Sequence, residues 1–139
     1  MTVLLVDAAN VVGARPDGWW RDRAGATERL LGRLAALPGR RLPGPDGGKL
    51  DCTGVVAVVE GQARAVPAPE AVRVVRAPGS GDDALAAEAV ELAAGGIGLV
   101  VVTADRGLRA RLPAAVAVAG PGWVHARLDE LAHGTGDAG

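Results

Sequence analysis

The sequence predicts an α/β fold: a doubly wound, three-layer α/β/α domain around a mostly parallel sheet of five strands. Three observations predict it. Short runs of Val, Leu and Ala recur without polar interruption, as strands buried on both faces do. Leu and Ala at helical spacing occupy the intervals between those runs. The chain has no Phe, no Tyr and only three Trp, so its core has to be aliphatic, made from β-branched strands and Leu/Ala helices.

Val3-Leu4-Leu5-Val6 stops at Asp7 and reads as the first strand. After a turn containing Gly and Pro, Thr27, Leu30, Leu31, Leu34 and Leu37 fall at helical spacing ahead of Pro38, with Gly25 and Gly32 weakening the helix. Residues Pro38 to Gly54 combine Pro and Pro-Gly turns, Gly47-Gly48 and the basic Arg40, Arg41 and Lys49, and read as an exposed, mobile loop. Gly54 to Glu60 is the second strand, again ended by an acid, and Ala71 to Val75 is the third, with a Pro67/Pro69 linker between them. A helix from Asp82 through Leu85, Ala89 and Leu92 stops at Gly95-Gly96; Leu99 to Thr103 is the fourth strand, followed at once by Asp105. A short helix with Leu108 and Leu112 ends at Pro113. Ala115 to Ala119 is the last strand, and Val124, Leu128 and Leu131 stripe a closing helix. Residues 1–134 are expected to form one domain and 135–139 a flexible tail.

A formal net charge of −1 gives no global attraction to a polyanion, so nucleic acid would have to be met by local basic groups or bound cations. One cysteine, Cys52, excludes an internal disulfide, cannot hold zinc or iron by itself, and reads as incidental near a loop. No apolar run is long enough to cross a bilayer and the chain opens on a strand pattern, so a cytoplasmic protein without membrane association is expected.

The informative feature is positional. Asp7, Glu60 and Asp105 each follow the carboxyl end of a strand, while Asp82 and Asp83 open a helix. In an open parallel sheet those ends share one edge, where ligands bind at the reversal of strand order. Carboxylates brought together repel one another unless a cation neutralises them. Oxygen donors without His or Cys suit Mg²⁺ or Mn²⁺, which bind phosphate as well, so a phosphoester substrate follows. Taken singly, each acid has a plainer reading as a helix cap, a strand end or a turn former.

The stretches Val6-Asp7-Ala8-Ala9-Asn10-Val11-Val12, Gly79-Ser80-Gly81-Asp82-Asp83 and Val102-Thr103-Ala104-Asp105-Arg106-Gly107-Leu108 resemble the successive acidic motifs of NYN domains, in the PIN-like nuclease superfamily. The resemblance spans nearly the whole chain and implies the strand order 3-2-1-4-5, a metal-binding acidic pocket and cleavage of RNA. It makes Asp7 the first metal ligand, Asp83 or Asp82 the helix-borne one and Asp105 the last. Asn10 would hold backbone or substrate near Asp7. Thr103 would stand beside the scissile phosphate or fix the Asp105 carboxylate, and Ser80 would act likewise at the next helix. Similar domains often end the second strand in Asp, so Glu60 is expected to reach a metal through water.

The resemblance also implies a substrate gripped by its backbone. Arg15, Arg21, Arg23 and Arg106 are the candidate phosphate contacts, and Trp19-Trp20 a stacking platform for unpaired bases, with at least one Trp expected to pack on the sheet instead. Arg40, Arg41 and Lys49 carry little weight as an extension of that track. His125 and His133 are expected away from the acidic edge, explained by exposure or a helix C-terminal position. RNA is the expected partner, and a homodimer is left open. The competing readings are a nucleotide phosphohydrolase and a non-catalytic RNA-binding or protein-binding domain. A dinucleotide-binding fold is disfavoured because Asp7-Ala8-Ala9-Asn10 replaces the glycine-rich turn.

Overall fold

The computed structural model describes residues 1–133. The expected tail lies outside them. Strand β1 (Thr2–Asp7) sits at the middle of the sheet, parallel both to β3 (Lys49–Val59) and to β5 (Gly98–Val102). In register, Leu4 lies opposite Val55 on one side and Val100 on the other. Strand β4 (Val72–Arg76) adds in parallel outside β3, and β6 (Ala117–Ala119) outside β5. The parallel order β4-β3-β1-β5-β6 corresponds to 3-2-1-4-5 among the expected strands.

Alternation along the strands divides the core in two. Leu4, Val6, Val55, Ala57, Val59, Val100 and Val102 face helices α1 (Ala8–Gly13), α2 (Arg23–Leu34) and α5 (Pro121–Ala132), meeting Val11, Leu30, Leu31, Leu34, Val124 and Leu128. Leu5, Val56, Val58, Leu99 and Val101 face the opposite way, onto α3 (Gly81–Ala94) and α4 (Arg106–Arg109) through Leu85, Ala86, Ala89 and Leu108. The three layers follow from strands that are apolar on both faces, because neither face can be left to water.

Residues 38–54 are not a mobile loop. Strand β2 (Arg41–Pro43) pairs antiparallel with the start of β3, Leu42 opposite Leu50. Gly44 donates its N–H to the Gly48 carbonyl at 2.7 Å, and Asp46 Oδ1 accepts from Gly48 N at 3.0 Å, while Gly47 takes φ +88°. Leu37, Leu42 and Cys52 are buried in the main core, and that burial holds down a segment whose Pro, Gly and charge suggest a loop. Cys52 is therefore a core residue of β3.

Helix α1 begins directly at the end of β1, with Asp7 as its N-cap. His125 is not exposed: it is 8% accessible on α5, and its Nε2–H donates to the Val11 carbonyl at 2.8 Å, tying α5 to the end of α1. Among the described residues no helix is long and apolar enough to cross a membrane.

Candidate active site at the carboxyl edge of the sheet

Because the five strands run parallel, their carboxyl ends open onto one edge. There β1 delivers Asp7, β3 runs into Glu60, and β5 runs into Thr103 and Asp105. The N-terminus of α3 brings Ser80 and Asp82 to the same edge.

Adjacent β1 and β5 put Asp7 and Thr103 side by side. Thr103 is fully buried, and its hydroxyl donates to Asp7 Oδ2 at 3.0 Å while accepting from the Asp105 N–H at 3.1 Å. Asp7 Oδ1 takes the Asn10 N–H at 3.4 Å, and Asn10 Oδ1 in turn accepts from Ala104 N at 2.8 Å. Asp105 Oδ1 caps α4 through Leu108 N at 3.0 Å, and the Arg109 guanidinium donates to the Thr103 carbonyl at 3.0 Å. The two strand-to-helix turns are thus stitched together by side chains from both. Thr103 is placed to fix Asp7 and Asp105; its burial keeps it from solvent and from a substrate.

Glu60 reaches across to α3, where its Oε2 accepts from Gly81 N at 2.7 Å. A Cβ on residue 81 would stand 2.9 Å from the Glu60 carboxyl carbon, so a larger residue there would displace the Glu60 carboxylate. Ser80 caps the same helix, its Oγ accepting from Asp82 N at 3.2 Å.

The acids sense one another. Burial pushes the Asp7 carboxyl above its ordinary range, hydrogen bonds from Thr103 and Asn10 oppose this, and Asp82 and Glu60 add repulsion. Asp82 is also raised, first by desolvation and then by Asp105 and Glu60, with Arg111 pulling the other way. Asp83 stands apart: its exposed carboxylate pairs with Arg111 at 2.9 Å on the outer side of α3. The helix-borne acid of the edge is Asp82. Among the described residues, no three His, Cys, Asp or Glu side chains are close enough to form a ready cation cage.

The proposed substrate contacts divide. Arg15 is held by Asp129 at 2.6 Å, beside Arg33 at 2.8 Å from the same carboxylate, and so is bound to α5 rather than presented at the acids. Arg106, next to Asp105, is exposed. Arg21 lies 5.9 Å from the ring of exposed Trp20 and Arg23 5.3 Å from that of Trp19; the two rings meet edge to face at 6.1 Å. Trp19 packs against the main core, as one of the pair was expected to do. Arg41 and Lys49 begin strands at the opposite end of β3 from Glu60. The sequence reading missed the parts played by Gly81, Arg109 and Arg111. Of these only Gly81 had a signal, in the Gly-Ser-Gly turn ahead of the acids.

No family model matches the chain, and no curated protein matches it. Among solved structures it is similar to Rae1 (YacP) from Bacillus subtilis, with a TM-score of 0.67 at 17% identity over 96% of this chain and 78% of that one. At that identity the likeness shows a common fold.

Proposed function

We propose that this protein is a divalent-metal-dependent nuclease of the NYN, PIN-like kind, hydrolysing phosphodiester bonds in RNA. The observation that carries the reading is the Asp7–Thr103–Asp105 network, with Asp82 and Glu60 near enough to disturb its charge, at the sheet edge where open α/β folds bind ligands.

The donor chemistry fits a hard cation. Every candidate donor is an oxygen, and positive charge would relieve the repulsion that raises Asp7 and Asp82. Since the described residues form no ready cage, Asp7, Asp82 and Asp105 would hold Mg²⁺ or Mn²⁺ largely through its waters, with Glu60 in the outer ring. Such an ion supplies a water of lowered pKa and stabilises the leaving oxyanion.

The chain's own residues supply the positioning. Thr103 fixes the orientation of Asp7, and Asn10 locks the turn that carries Asp105. Glu60 pins the start of α3, so that Asp82 faces the edge. Arg106 and Arg21 offer exposed guanidinium groups to the phosphate backbone, and Trp20 an exposed ring for an unpaired base. A second reading, an RNA-binding domain without catalysis, draws on the pairing of Asp83 with Arg111, which removes one acid from the set.

The test is incubation of the purified protein with unpaired RNA, structured RNA, DNA and nucleoside triphosphates, with and without Mn²⁺ or Mg²⁺. RNA is expected to be cut only with metal, and Asp7→Asn and Asp105→Asn to abolish cutting. Cleavage that persists in both variants overturns the mechanism, and release of pyrophosphate from triphosphates makes the protein a phosphohydrolase instead.

A further inference from the structure

A cleft of about 220 Å³ lies between the end of α1, one flank of α2 and α5. Buried Val12, Leu30 and His125 form its base, and Arg15, Arg29 and Arg33 line it. Two of these arginines are held side by side: Asp129 takes Nη2 of Arg15 at 2.6 Å on one oxygen and Nη2 of Arg33 at 2.8 Å on the other. A guanidinium carries five N–H donors, so each keeps donors for a further acceptor. Arg29 is exposed and makes no ion pair among the described residues. Three guanidinium groups therefore stand against two carboxylates, Asp129 and Asp17. At the base, His125 Nδ1 has no hydrogen-bond partner among the described residues, whereas buried polar atoms are nearly always paired.

We propose that this cleft is a second phosphate site, holding the backbone of an RNA strand away from the acids. The proposal deepens the nuclease reading and rests on it for the ligand, but its chemistry comes from the cleft. Clustered guanidinium groups match phosphate oxygens in geometry as well as in charge. The cleft is smaller than the roughly 300–1,000 Å³ of pockets that enclose a small molecule, so it suits one charged group rather than a whole nucleotide. Its position suits a strand seated at the acids. Helix α1 has six residues, about 9 Å of length, with Asp7 as its N-cap and Arg15 two residues past its end. The arginines thus lie one short helix from the acidic edge. Arg15, tied to α5 and absent from the acids, gains a place in substrate binding here. Backbone contacts of this kind position a nucleic acid without reading its sequence.

The experiment measures binding of a labelled, unpaired RNA oligonucleotide to the full chain by fluorescence anisotropy, without divalent metal and over a range of salt. Each phosphate neutralised on a single strand contributes about 0.7 to the slope of log affinity against log salt. Arg29→Ala should lower that slope by about 0.7 and weaken binding about tenfold at roughly 50 mM salt, with the melting temperature unchanged because Arg29 is exposed. Arg29→Lys should keep the wild-type slope. Arg73→Ala, which removes an arginine paired with Glu88 of α3 in the opposite helical layer, should leave it unchanged. The His125 ring signals in ¹H–¹⁵N NMR should shift on addition of RNA. Absence of RNA binding, an unchanged slope in Arg29→Ala, an equal fall in Arg73→Ala, or a His125 ring moved by inorganic phosphate and not by RNA would overturn the proposal. No bond is cleaved in these titrations, so the two readings fail separately. Metal-dependent cleavage with an unchanged slope removes the cleft alone, and a lowered slope in a protein that cuts nothing removes the nuclease alone.

Discussion

Replacing Thr103 by Val tests whether one buried hydroxyl organises the acidic edge. Valine matches threonine in shape, so the fully buried site keeps its packing and loses only hydrogen bonding. Two bonds go: the donation to the Asp7 carboxylate at 3.0 Å and the acceptance from Asp105 N at 3.1 Å. A bond to a charged group contributes about 1.5–3 kcal/mol and a neutral one about 1, so the loss should be about 2–4 kcal/mol. For a domain of this size each kcal/mol lowers the melting temperature by roughly 3–4 °C, giving a drop of roughly 6–16 °C by circular dichroism. Thr103→Ser keeps the hydroxyl and loses one methyl, for about 1 kcal/mol. Serine should also retain nuclease activity that valine loses. If the valine variant melts at or above the serine variant, Thr103 is not the tie between Asp7 and Asp105 and the reasoning fails.

Asp7→Asn should raise the melting temperature at neutral pH while abolishing RNA cleavage. A carboxyl whose folded pKa is raised makes the folded state lose stability as pH climbs from the ordinary carboxyl range through the raised value. Asparagine removes that slope, and scans at several pH values would reveal it; a variant less stable than wild type at every pH contradicts the burial argument. Asp82→Asn should lose cleavage and Asp83→Asn keep it, since Asp83 is turned to Arg111; the reverse order in a cleavage assay would move the site. Asp129, drawn down to about 2 by Arg15 and Arg33, contributes stability that is complete above the ordinary carboxyl range and lost as pH falls toward 2. Acid titration of Asp129→Asn should show a shallower loss over that window, and an unchanged acid limb would mean the pairing does not persist in solution. Gly81→Ala should lower stability by about 1–3 kcal/mol by pushing Glu60 off the start of α3, and an unchanged urea midpoint would refute this.

The three central parallel strands were legible because each is a run of apolar residues closed by an acid or Thr: Val3 to Val6 before Asp7, Val55 to Val59 before Glu60 and Leu99 to Val102 before Thr103. The hairpin was not, since Pro43, Gly44 and Lys49 argue locally for a loop and the deciding contacts, Leu42 and Cys52 against the core, are distant in sequence. Its one signal was Asp46-Gly47 between Leu42 and Leu50. Helix α1 was hidden by β-branched Val11 and Val12, whose weak helix preference is overcome by burial and by the Asp7 cap. That the acids share an edge could be read from their positions after strands. Which of Asp82 and Asp83 faces inward could not, because α3 is rich in Ala on every side and gives little sign of its phase. Burial of His125 depended on one distant partner, the Val11 carbonyl.

The most direct test is an anomalous difference map from crystals grown with Mn²⁺. A manganese peak is expected at the carboxyl edge, among Asp7, Asp82 and Asp105. Manganese bound only elsewhere, such as beside Asp83, with Asp7 still engaged by Thr103 and Asn10 alone, would contradict it.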